Sequence, residues 1–506
     1  MSKVATVADV LAGRARFAID HADALAFARS LPDASIDALV TDPPAGIGFM
    51  GKTWDKPGKM GTSGGVAMPS LANRNPSCRS CGGRKRAGPA TKACGCEIPD
   101  WNESEHRTRD REMFVGFMRE ILAECHRAMK PGAHALVWAL PRTSHWTATA
   151  VEDAGFEVRD VVVHLFGTGF PKSLDVSKAL DKSAGIWRGR AGAVTIADQP
   201  SKGTEYERTE KGGPITAAAA GFGTALKPAS EHWILARKPL DGTVARNFSN
   251  HGTGAINVDA CRIAGLARSP GSIREKRSPA PNVDGREVPV GTVDAPDPHP
   301  AGRWPANVVL SHDSECRYLH DGADPEVVCT PGCAVAALDA QSGLSSDSAH
   351  ARGLGLGYGG GKGSDVVGRG FNDTGGASRF FFCAKPSTAE RESGLGHRKR
   401  VKPAVIQGRA EGSPGTINAR SGMGNNPRAN IHPTVKSIAL MRWLCRLVTP
   451  PGGVVLDVFA GSGTTAVACS QEGLRFVGCE REAEYVEIAR DRLLGDAPLL
   501  NAGGGK

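Results

Sequence analysis

Apolar and polar positions near the amino end of the chain follow the periods of strands and helices. Short apolar runs predict strands at 35–41, 134–140 and 156–166. Amphipathic spacing predicts helices at 111–129 and 144–154. Strands that alternate with helices of this length indicate an open α/β arrangement.

The carboxyl end repeats this alternation without a long interruption. Helices are predicted at 437–448, 464–471 and 483–494, and strands at 454–459 and 475–479. The strand at 454–459 is followed at once by a helix, which is the beginning of a βαβ unit. The two ends together therefore predict one doubly wound α/β core that is shared between distant parts of the sequence.

The middle of the chain lacks both periods. Residues 186–430 are rich in glycine, proline and charged residues, and the segment 353–376 alone holds 11 glycines. Over the whole chain, 40% hydrophobic and 23% charged residues are typical of a globular protein. We therefore expect loops and irregular structure in the middle of an otherwise folded protein.

No stretch approaches the ~18 consecutive apolar residues of a membrane helix, and the first 20 residues lack the apolar centre of a signal peptide. We therefore expect a cytoplasmic protein without a membrane partner. In such a reducing compartment, clustered members of the 13 cysteines are better metal ligands than disulfide partners.

A glycine turn joins the strand and the helix of the segment VVLDVFAGSGTT at 454–465. Gly461 and Gly463 would let the backbone approach a ligand closely. The spacing alone also fits a dinucleotide site, in which Glu480, at the end of the next strand, would bind a ribose. Asp457 favours S-adenosylmethionine (SAM) instead, because a carboxylate would repel a pyrophosphate but would suit the ammonium group of SAM.

The first predicted strand ends in Thr41-Asp42-Pro43-Pro44. Prolines have no N–H group, so this turn offers carbonyl acceptors beside a carboxylate on a backbone of fixed φ. Such a turn suits an NH2 group. If Asp42 accepts one amine hydrogen and the Pro43 carbonyl accepts the other, the nitrogen lone pair can point at a methyl donor, and catalysis is mostly positioning.

Three segments, in this order, resemble the amino-group DNA methyltransferases. They are Asp42-Pro43-Pro44, the run His432-Pro-Thr434-Val-Lys436, and the glycine segment that begins at Asp457. The order resembles the permuted class of the family, in which the acceptor motif precedes the cofactor motif, and most closely its phage and prophage members. The resemblance implies a Rossmann-like, SAM-dependent methyltransferase fold that is circularly permuted.

The resemblance also implies roles for individual residues. Asp42, Pro43 and Pro44 would form the catalytic acceptor motif. The residues implied in SAM binding are Asp23, His432, Thr434, Lys436, Asp457, Phe459, Gly461, Ser462, Gly463, Thr464 and Glu480. Among them Asp23 would read the adenine of the cofactor, and the His-Pro-Thr segment would contact its methionine end. An aspartate in the acceptor motif is, by resemblance, more typical of adenine N6 than of cytosine N4 acceptors.

Two positions depart from the family pattern. Ala45 stands where an aromatic residue usually stacks on the flipped base, and Ser437 stands where a proline usually follows the lysine. Unstacking a base costs a few kcal/mol, which a pocket normally offsets by stacking. We expect Phe49, Trp54 or Phe166 to supply the ring.

Two cysteine-containing clusters have the spacing of structural zinc sites. The first lies in a basic insertion, where residues 51–100 hold nine Lys or Arg against three acids of a chain whose net charge is +9. Its four candidate ligands are Cys78, Cys81, Cys94 and Cys96. The candidate ligands of the second are His312, Cys316, Cys329 and Cys333, with His320 as an alternative. Zinc would fold loops that cannot bury enough apolar surface.

The domain prediction follows from these assignments. The catalytic core would occupy 1–55 and 101–185, the zinc insertion 56–100, the target-recognition region 186–430, the SAM-binding part 431–495 and a tail 496–506. The expected function is transfer of a methyl group from SAM to adenine N6 of double-stranded DNA. Cytosine N4 methylation, a DNA-binding protein without turnover and a nicotinamide-dependent oxidoreductase are the alternatives. A homodimer and a cognate restriction endonuclease are further candidate partners.

Overall fold

The computed structural model describes most of the predicted α/β regions and parts of the middle of the chain. The described residues are 5–46, 81, 95–96, 103–167, 173–183, 217–263, 302–313, 316–318, 327–330, 333–346, 374–384, 388–401 and 427–496. They fall into two compact units, of which the larger combines residues 1–167 with 230–506 and the smaller spans residues 168–229. In the smaller unit a helix at Val176–Ser183 begins where the Val176 N–H donates to the Phe222 carbonyl.

The strands of the larger unit come from every part of its sequence. In chain order they are β1 (Phe17–His21), β2 (Ile36–Thr41), β3 (Met129–Ala139), β4 (Glu157–Leu165), β5 (Ser230–Arg237), β6 (Val308–Ser311), β7 (Arg317–Tyr318), β8 (Val327–Val328), β9 (Ser345–Ser346), β10 (Thr374–Gly375), β11 (Phe382–Ala384), β12 (Val454–Asp457) and β13 (Arg475–Glu480). The predicted strands near both ends of the chain are confirmed.

The helices within the described residues also follow the predicted pattern near both ends. They are α1 (Val7–Leu11), α2 (Ala24–Ser30), α3 (Glu103–Ala128), α4 (Ser144–Asp153), α5 (Val176–Ser183), α6 (Val244–His251), α7 (Ala334–Ser342), α8 (Thr388–Glu392), α9 (Ile438–Val448), α10 (Thr464–Gln471) and α11 (Ala483–Asp496), with 3₁₀ turns at Asp259–Cys261 and Ala377–Phe380. Helix α3 begins earlier than the predicted residue 111, and α1 and α2 were not predicted.

Nine strands form one sheet in the order β1-β13-β12-β2-β3-β5-β4-β6-β11. Strand β5 is antiparallel to both of its neighbours, β3 and β4, whereas the other neighbouring pairs are parallel. The centre of the sheet joins the two ends of the chain, because β12 pairs with β2 through Val455 opposite Ala38 and Leu456 opposite Leu39. The shared α/β core is therefore confirmed.

Each face of the sheet is covered by its own helices. Residues of α2, α3 and α4 pack with the sheet in one buried cluster, which includes Phe27, Met118 and Val151. Residues of α9, α10 and α11 pack on the other face, around Trp443 and Val467. Helices on both faces and a mostly parallel sheet make this a doubly wound α/β fold.

The domain prediction for 186–430 needs a correction. Strand β5 lies inside the catalytic sheet, and β6 and β11 extend its far edge. Residues 230–237 therefore belong to the core and not to a separate recognition region. Their apolar run, from Trp233 to Ala236, is buried on both faces of the sheet, whereas the glycine- and proline-rich composition around it had predicted irregular structure. Among the described residues, no helix combines the length and the apolar character needed to cross a membrane.

Candidate active site

The candidate functional residues collect at one edge of the sheet. Strands β1, β13, β12 and β2 are parallel neighbours, so their carboxyl ends meet at this edge. The strands end at His21, Glu480, Asp457 and Thr41, respectively. Ligands of open α/β sheets bind beyond the carboxyl ends of the strands. The acceptor motif after β2 and the glycine loop after β12 are therefore side by side, as their predicted roles require.

Asp457 is bound by the protein itself. Its side chain is 1% exposed, and its Oδ1 accepts hydrogen bonds from the Thr41 hydroxyl at 2.7 Å and the Phe459 N–H at 3.0 Å. Its Oδ2 accepts from the Thr465 hydroxyl at 2.6 Å. Burial raises the pKa of Asp457, and these hydrogen bonds act against that rise. The geometry favours a role in fixing the loop, not the contact with a SAM ammonium that the sequence suggested.

The glycine loop needs glycine for two separate reasons. Gly461 and Gly463 have φ angles of 52° and 76°, in the left-handed region that other residues rarely adopt. A Cβ on Gly463 would lie 2.7 Å from the Cβ of Ala489 on α11, and one on Gly461 would lie 2.8 Å from Nε2 of His432. The loop is thus closely packed between α11 and the His-Pro-Thr segment.

Glu480 holds the glycine loop through the backbone. Its Oε2 accepts the Gly461 N–H at 2.9 Å, and its Oε1 accepts the Glu482 N–H at 2.8 Å. Burial raises the pKa of Glu480. In a dinucleotide site the loop N–H groups would face a pyrophosphate. Because the Gly461 N–H is already donated to a carboxylate, the loop is poorly suited to a pyrophosphate.

Asp23 lies beside Glu480 but has a structural task of its own. It follows β1, whose last residue His21 is in register with Glu480. Its Oδ1 accepts the N–H groups of Leu25 and Ala26, so Asp23 is the N-cap of α2. The structure places this residue at the predicted edge of the sheet, and contact with a cofactor adenine stays a prediction.

The His-Pro-Thr segment packs on the glycine loop. Burial, together with the positive charges of Arg391, Lys436 and Arg492, lowers the pKa of His432 to about 3. The imidazole is therefore neutral, and its Nδ1 accepts the Thr434 N–H at 3.4 Å. Helix α9 begins after Ser437, so Thr434 is not its cap.

Buried polar side chains tie this segment to the loop. Asn430, which is fully buried, donates to the Ser462 hydroxyl at 3.3 Å and accepts the His432 N–H at 3.1 Å. Arg492 of α11 donates to the Ser462 carbonyl at 2.7 Å and to the Thr464 hydroxyl at 3.0 Å. Asn430 and Arg492 were missed by sequence reasoning, because neither lies in a recognisable motif.

The acceptor turn after β2 presents a partly exposed carboxylate. The side chain of Asp42 is 20% exposed, and its Oδ2 lies 3.2 Å from Nζ of Lys436. Burial raises the pKa of Asp42 to about 6, with Lys436 acting against the rise and Glu231 adding to it. Pro43 is buried and Pro44 is partly buried. Asp42 is therefore more open to a ligand than Asp457, which is 1% exposed.

Lys436 contacts the carboxylate of Asp42. The resemblance had instead implied that Lys436 contacts the cofactor. Its Nζ also lies 3.6 Å from Oε1 of Glu231 on β5 and 3.9 Å from the centre of the Trp138 ring on β3. Glu231 and Trp138 were not predicted as site residues. Glu231 lies near the start of β5, and Trp138 lies near the end of β3. The order of the strands in the sheet, which the sequence does not show, brings both residues close to Asp42.

Of the three aromatic residues expected to stack on a flipped base, Phe166 is the one that lies within the described residues. This residue follows β4, and its ring centre is 5.5 Å from that of His164. Strands β4 and β2 are three positions apart in the sheet, about 14 Å at the usual spacing. Ala45 packs on the core, and its carbonyl accepts the Thr143 hydroxyl. Phe49 and Trp54 lie outside the described residues.

The second predicted zinc cluster is assembled in the structure. One ligand atom from each of His312, Cys316, Cys329 and Cys333 lies within 4.8 Å of the others. Sulfur atoms of Cys329 and Cys333 are 3.4 and 3.6 Å from Nδ1 of His312. A tetrahedral zinc with its usual bond lengths would set its ligand atoms about 3.5–3.8 Å apart. The four residues fit this ion, and His320 lies outside the described residues.

The first cysteine cluster is only partly within the described residues. Cys81 is exposed and Cys96 is partly buried. Cys78 and Cys94 lie outside the part of the chain that the structure describes. The zinc insertion therefore stays a prediction.

Comparisons with known proteins find similarity in the part of the chain that holds the glycine loop. Residues 405–491 match the N6/N4 methyltransferase family model, described as DNA methylase. The type II methyltransferase M2.DpnII of Streptococcus pneumoniae is 45% identical over 65 residues, 13% of this chain and 24% of the relative. The type II methyltransferase M.Cfr9I of Citrobacter freundii is 44% identical over 70 residues, 14% and 23% of the two chains. This chain thus spans about a quarter of the length of these curated relatives.

Among solved structures, the PvuII DNA methyltransferase, described as cytosine-N4-specific, aligns over 95% of this chain and 87% of its own. The identity is 10% and the TM-score is 0.35. The family match and the two relatives support an amino-group DNA methyltransferase, and they do not distinguish adenine N6 from cytosine N4.

Proposed function

We propose that this chain is an amino-group DNA methyltransferase, which transfers a methyl group from SAM to adenine N6 of double-stranded DNA. The observation that carries the proposal is the joining of the acceptor and glycine segments across the sheet. Thr41, directly before Asp42, donates its hydroxyl to Asp457, directly before the glycine loop, at 2.7 Å. A base amine at Asp42 and a cofactor over the loop would therefore be neighbours, which is the positioning that methyl transfer needs.

Asp42 is the proposed acceptor carboxylate. Its ionised form accepts one hydrogen of the amine, and the Pro43 carbonyl accepts the other, so that the nitrogen lone pair faces the methyl group. When bound, SAM would supply an electrophilic methyl group, and its sulfur would keep the electron pair of the broken C–S bond as a neutral thioether. The amine is cationic after transfer and passes a proton to Asp42. A pKa of about 6 makes Asp42 a suitable acceptor near neutral pH.

The glycine loop is the proposed cofactor site. Gly461 and Gly463 supply the left-handed turn of this loop, and Phe459 is a partly buried neighbour in it. Glu480 is the candidate for the ribose hydroxyls, since its carboxylate already lies beside the loop. His432, neutral and fixed against Gly461, would contact the methionine end of SAM without bringing a second positive charge to its ammonium group.

Adenine is proposed over cytosine from the acceptor residue. Asp42 stands before Pro43-Pro44, and an aspartate at this place resembles adenine N6 methyltransferases more than cytosine N4 enzymes. The same resemblance gives the permuted order, in which the acceptor motif precedes the glycine loop. A homodimer and a cognate restriction endonuclease stay predictions.

Labelled methyl transfer tests the proposal. The full chain is incubated with SAM that carries a tritiated methyl group and with duplex DNA of mixed sequence, and the DNA is digested to nucleosides. Label is expected in N6-methyladenine. Label in N4-methylcytosine would show that the acceptor base is cytosine and that the reaction is still methyl transfer to an amino group of DNA. Binding of SAM without any label in DNA would contradict the proposal.

A structural zinc ion at His312, Cys316, Cys329 and Cys333 is a second part of the proposal. Cys333 precedes α7, and the β7–β8 hairpin lies between the two middle ligands, so the ion would join short elements that share only a small apolar cluster. Metal analysis of the purified chain should find at least one zinc. The double variant Cys329→Ser/Cys333→Ser should hold one zinc fewer, and an unchanged zinc content would contradict the site.

A further inference from the structure

Glu231 reaches the acceptor site because β5 is antiparallel to its two neighbours, β3 and β4. The carboxyl ends of the parallel strands and the amino end of β5 lie at the same edge of the sheet. Glu231 is the second residue of β5 and stands opposite His164 on β4. A carboxylate from a segment far from every motif is thereby added to the edge that holds Asp42.

Lys436 lies between the two carboxylates. Its Nζ is 3.2 Å from Oδ2 of Asp42 and 3.6 Å from Oε1 of Glu231. The same ammonium lies over the Trp138 ring, and its side chain is only 12% exposed. A buried ammonium without partners would be costly, so Glu231 and Asp42 fix its position jointly.

Glu231 is itself held from the other side. Its Oε2 lies 3.5 Å from Nδ1 of His164, and Nε2 of His164 is 2.7 Å from the Ser311 hydroxyl at the end of β6. Burial alone would raise the pKa of Glu231, but Lys436 and His164 outweigh it and lower the pKa to about 2. Glu231 is therefore ionised whenever the protein is folded at ordinary pH.

We propose that Glu231 is a positioning residue that acts through Lys436 on Asp42. We name the Glu231–Lys436 pair the clamp. Lys436 binds Oδ2 of Asp42, which directs Oδ1 to the target amine, and Glu231 keeps Lys436 in place while sharing its charge. The clamp rests on the proposed function, since it assigns a task within that reaction.

The clamp has a measurable electrostatic consequence. The charged groups that face Asp42 are Lys436 before α9, Glu231 on β5 and Asp457 on β12. Lys436 favours the ionised form of Asp42, and Glu231 disfavours it. Neutralising Glu231 removes a negative charge near Asp42 and should lower the pKa of Asp42. Removing Lys436 leaves two neighbouring carboxylates that repel each other and should raise it.

The experiment compares pH profiles of kcat/KM for methyl transfer to duplex DNA. In Glu231→Gln the acidic limb should move to lower pH by about one unit, and in Lys436→Met it should move to higher pH by at least as much. Glu231→Asp, which keeps the charge, should stay near the wild-type profile. Glu157→Gln is the matched control, because Glu157 begins β4 at the opposite edge and pairs with Arg237.

The outcomes separate the clamp from the reaction itself. Limbs that move in opposite directions in Glu231→Gln and Lys436→Met, with Glu157→Gln unmoved, support the clamp. A wild-type enzyme that methylates DNA while Glu231→Gln keeps the wild-type limb would contradict the clamp alone. Failure of the wild-type chain to label DNA would contradict the proposed function, on which the clamp depends.

Discussion

Asp42 directly follows β2 and Asp457 ends the neighbouring parallel strand β12, but their surroundings differ. Asp457 is 1% exposed, and both of its oxygens accept hydrogen bonds from Thr41, Thr465 or the Phe459 backbone. Asp42 has a 20% exposed side chain, and its ion-pair partner is Lys436. The Asp457 carboxylate fixes the glycine loop by hydrogen bonds, and the Asp42 carboxylate faces the space where a substrate would bind.

The difference shows that the position of an acid at a strand end does not decide its task. Hydroxyl groups beside Asp457 use up its acceptor capacity, whereas two prolines after Asp42 provide no N–H donors to compete for it. A partly exposed carboxylate that is followed by two residues without an N–H group is available for a ligand amine. Glu480 and Asp23 differ from Asp42 in that they bind backbone N–H groups, of a loop and of a helix end respectively.

The largest effect should follow from removing the acceptor carboxylate. Asp42→Ala is expected to lower kcat for DNA methylation by about 100- to 10,000-fold, the usual contribution of a positioned proton acceptor. SAM binding, measured by calorimetry, should persist, because the glycine loop is untouched. A variant that keeps more than a tenth of the wild-type kcat would show that Asp42 is not the acceptor.

Removing the buried carboxylate of Asp457 should lower the free energy of unfolding. Asp457→Ala deprives the buried hydroxyls of Thr41 and Thr465 of their acceptor, and we expect a loss of about 3 kcal/mol in the free energy of unfolding. Asp42→Ala is the control, because no buried hydroxyl donates to Asp42 in the described structure. Urea denaturation measures both, and equal midpoints would contradict the division of tasks.

The glycine loop permits a matched pair of substitutions. Gly463 has φ 76° and a Cβ would lie 2.7 Å from Ala489, while Gly473 has φ 70° with its nearest atom, on Arg16, at 3.8 Å. Gly463→Ala should weaken SAM binding about tenfold, roughly 1.4 kcal/mol. Gly473→Ala shares the backbone strain without the clash, and its SAM affinity should remain near that of the wild type. Similar affinities for both variants would place the cofactor elsewhere.

The smallest expected effect is the pH dependence of the wild-type enzyme. Burial raises the pKa of Asp42 to about 6, and the ionised form accepts the amine hydrogen. Below this pH the protonated carboxyl cannot accept, so kcat/KM should fall about tenfold per pH unit, and it should level off above it. A limb near pH 4 would indicate that Asp42 is not desolvated as the structure has it.

The local part of the site was predictable from the sequence. The Asp-Pro-Pro turn and the glycine loop follow predicted strands directly, and chain neighbours fix their conformations. The shared core was predictable too, because both ends of the chain have strand and helix periods. The candidate zinc ligands His312, Cys316, Cys329 and Cys333 come together as their spacing predicted.

The non-local part could not be predicted. Strand β5 was hidden in a glycine- and proline-rich region, although its run from Trp233 to Ala236 has the apolar character of a buried strand. Its insertion between β3 and β4 depends on pairing over long distances in sequence, and this pairing brings Glu231 to Lys436. The partners of Asp457 could not be predicted for a related reason, since the sequence displays its charge but not the hydroxyls that bind it.

The most direct test compares the isosteric variants Asp42→Asn and Asp457→Asn in one assay. Each is mixed with saturating SAM and duplex DNA at a temperature where both remain folded, and the rate of a single methyl transfer is measured. Asp42→Asn is expected to lose about 100-fold or more in rate, and Asp457→Asn is expected to stay within about tenfold of the wild-type rate, equivalent to roughly 1.4 kcal/mol. A full rate in Asp42→Asn with an inactive Asp457→Asn would contradict the role of Asp42 as the acceptor carboxylate.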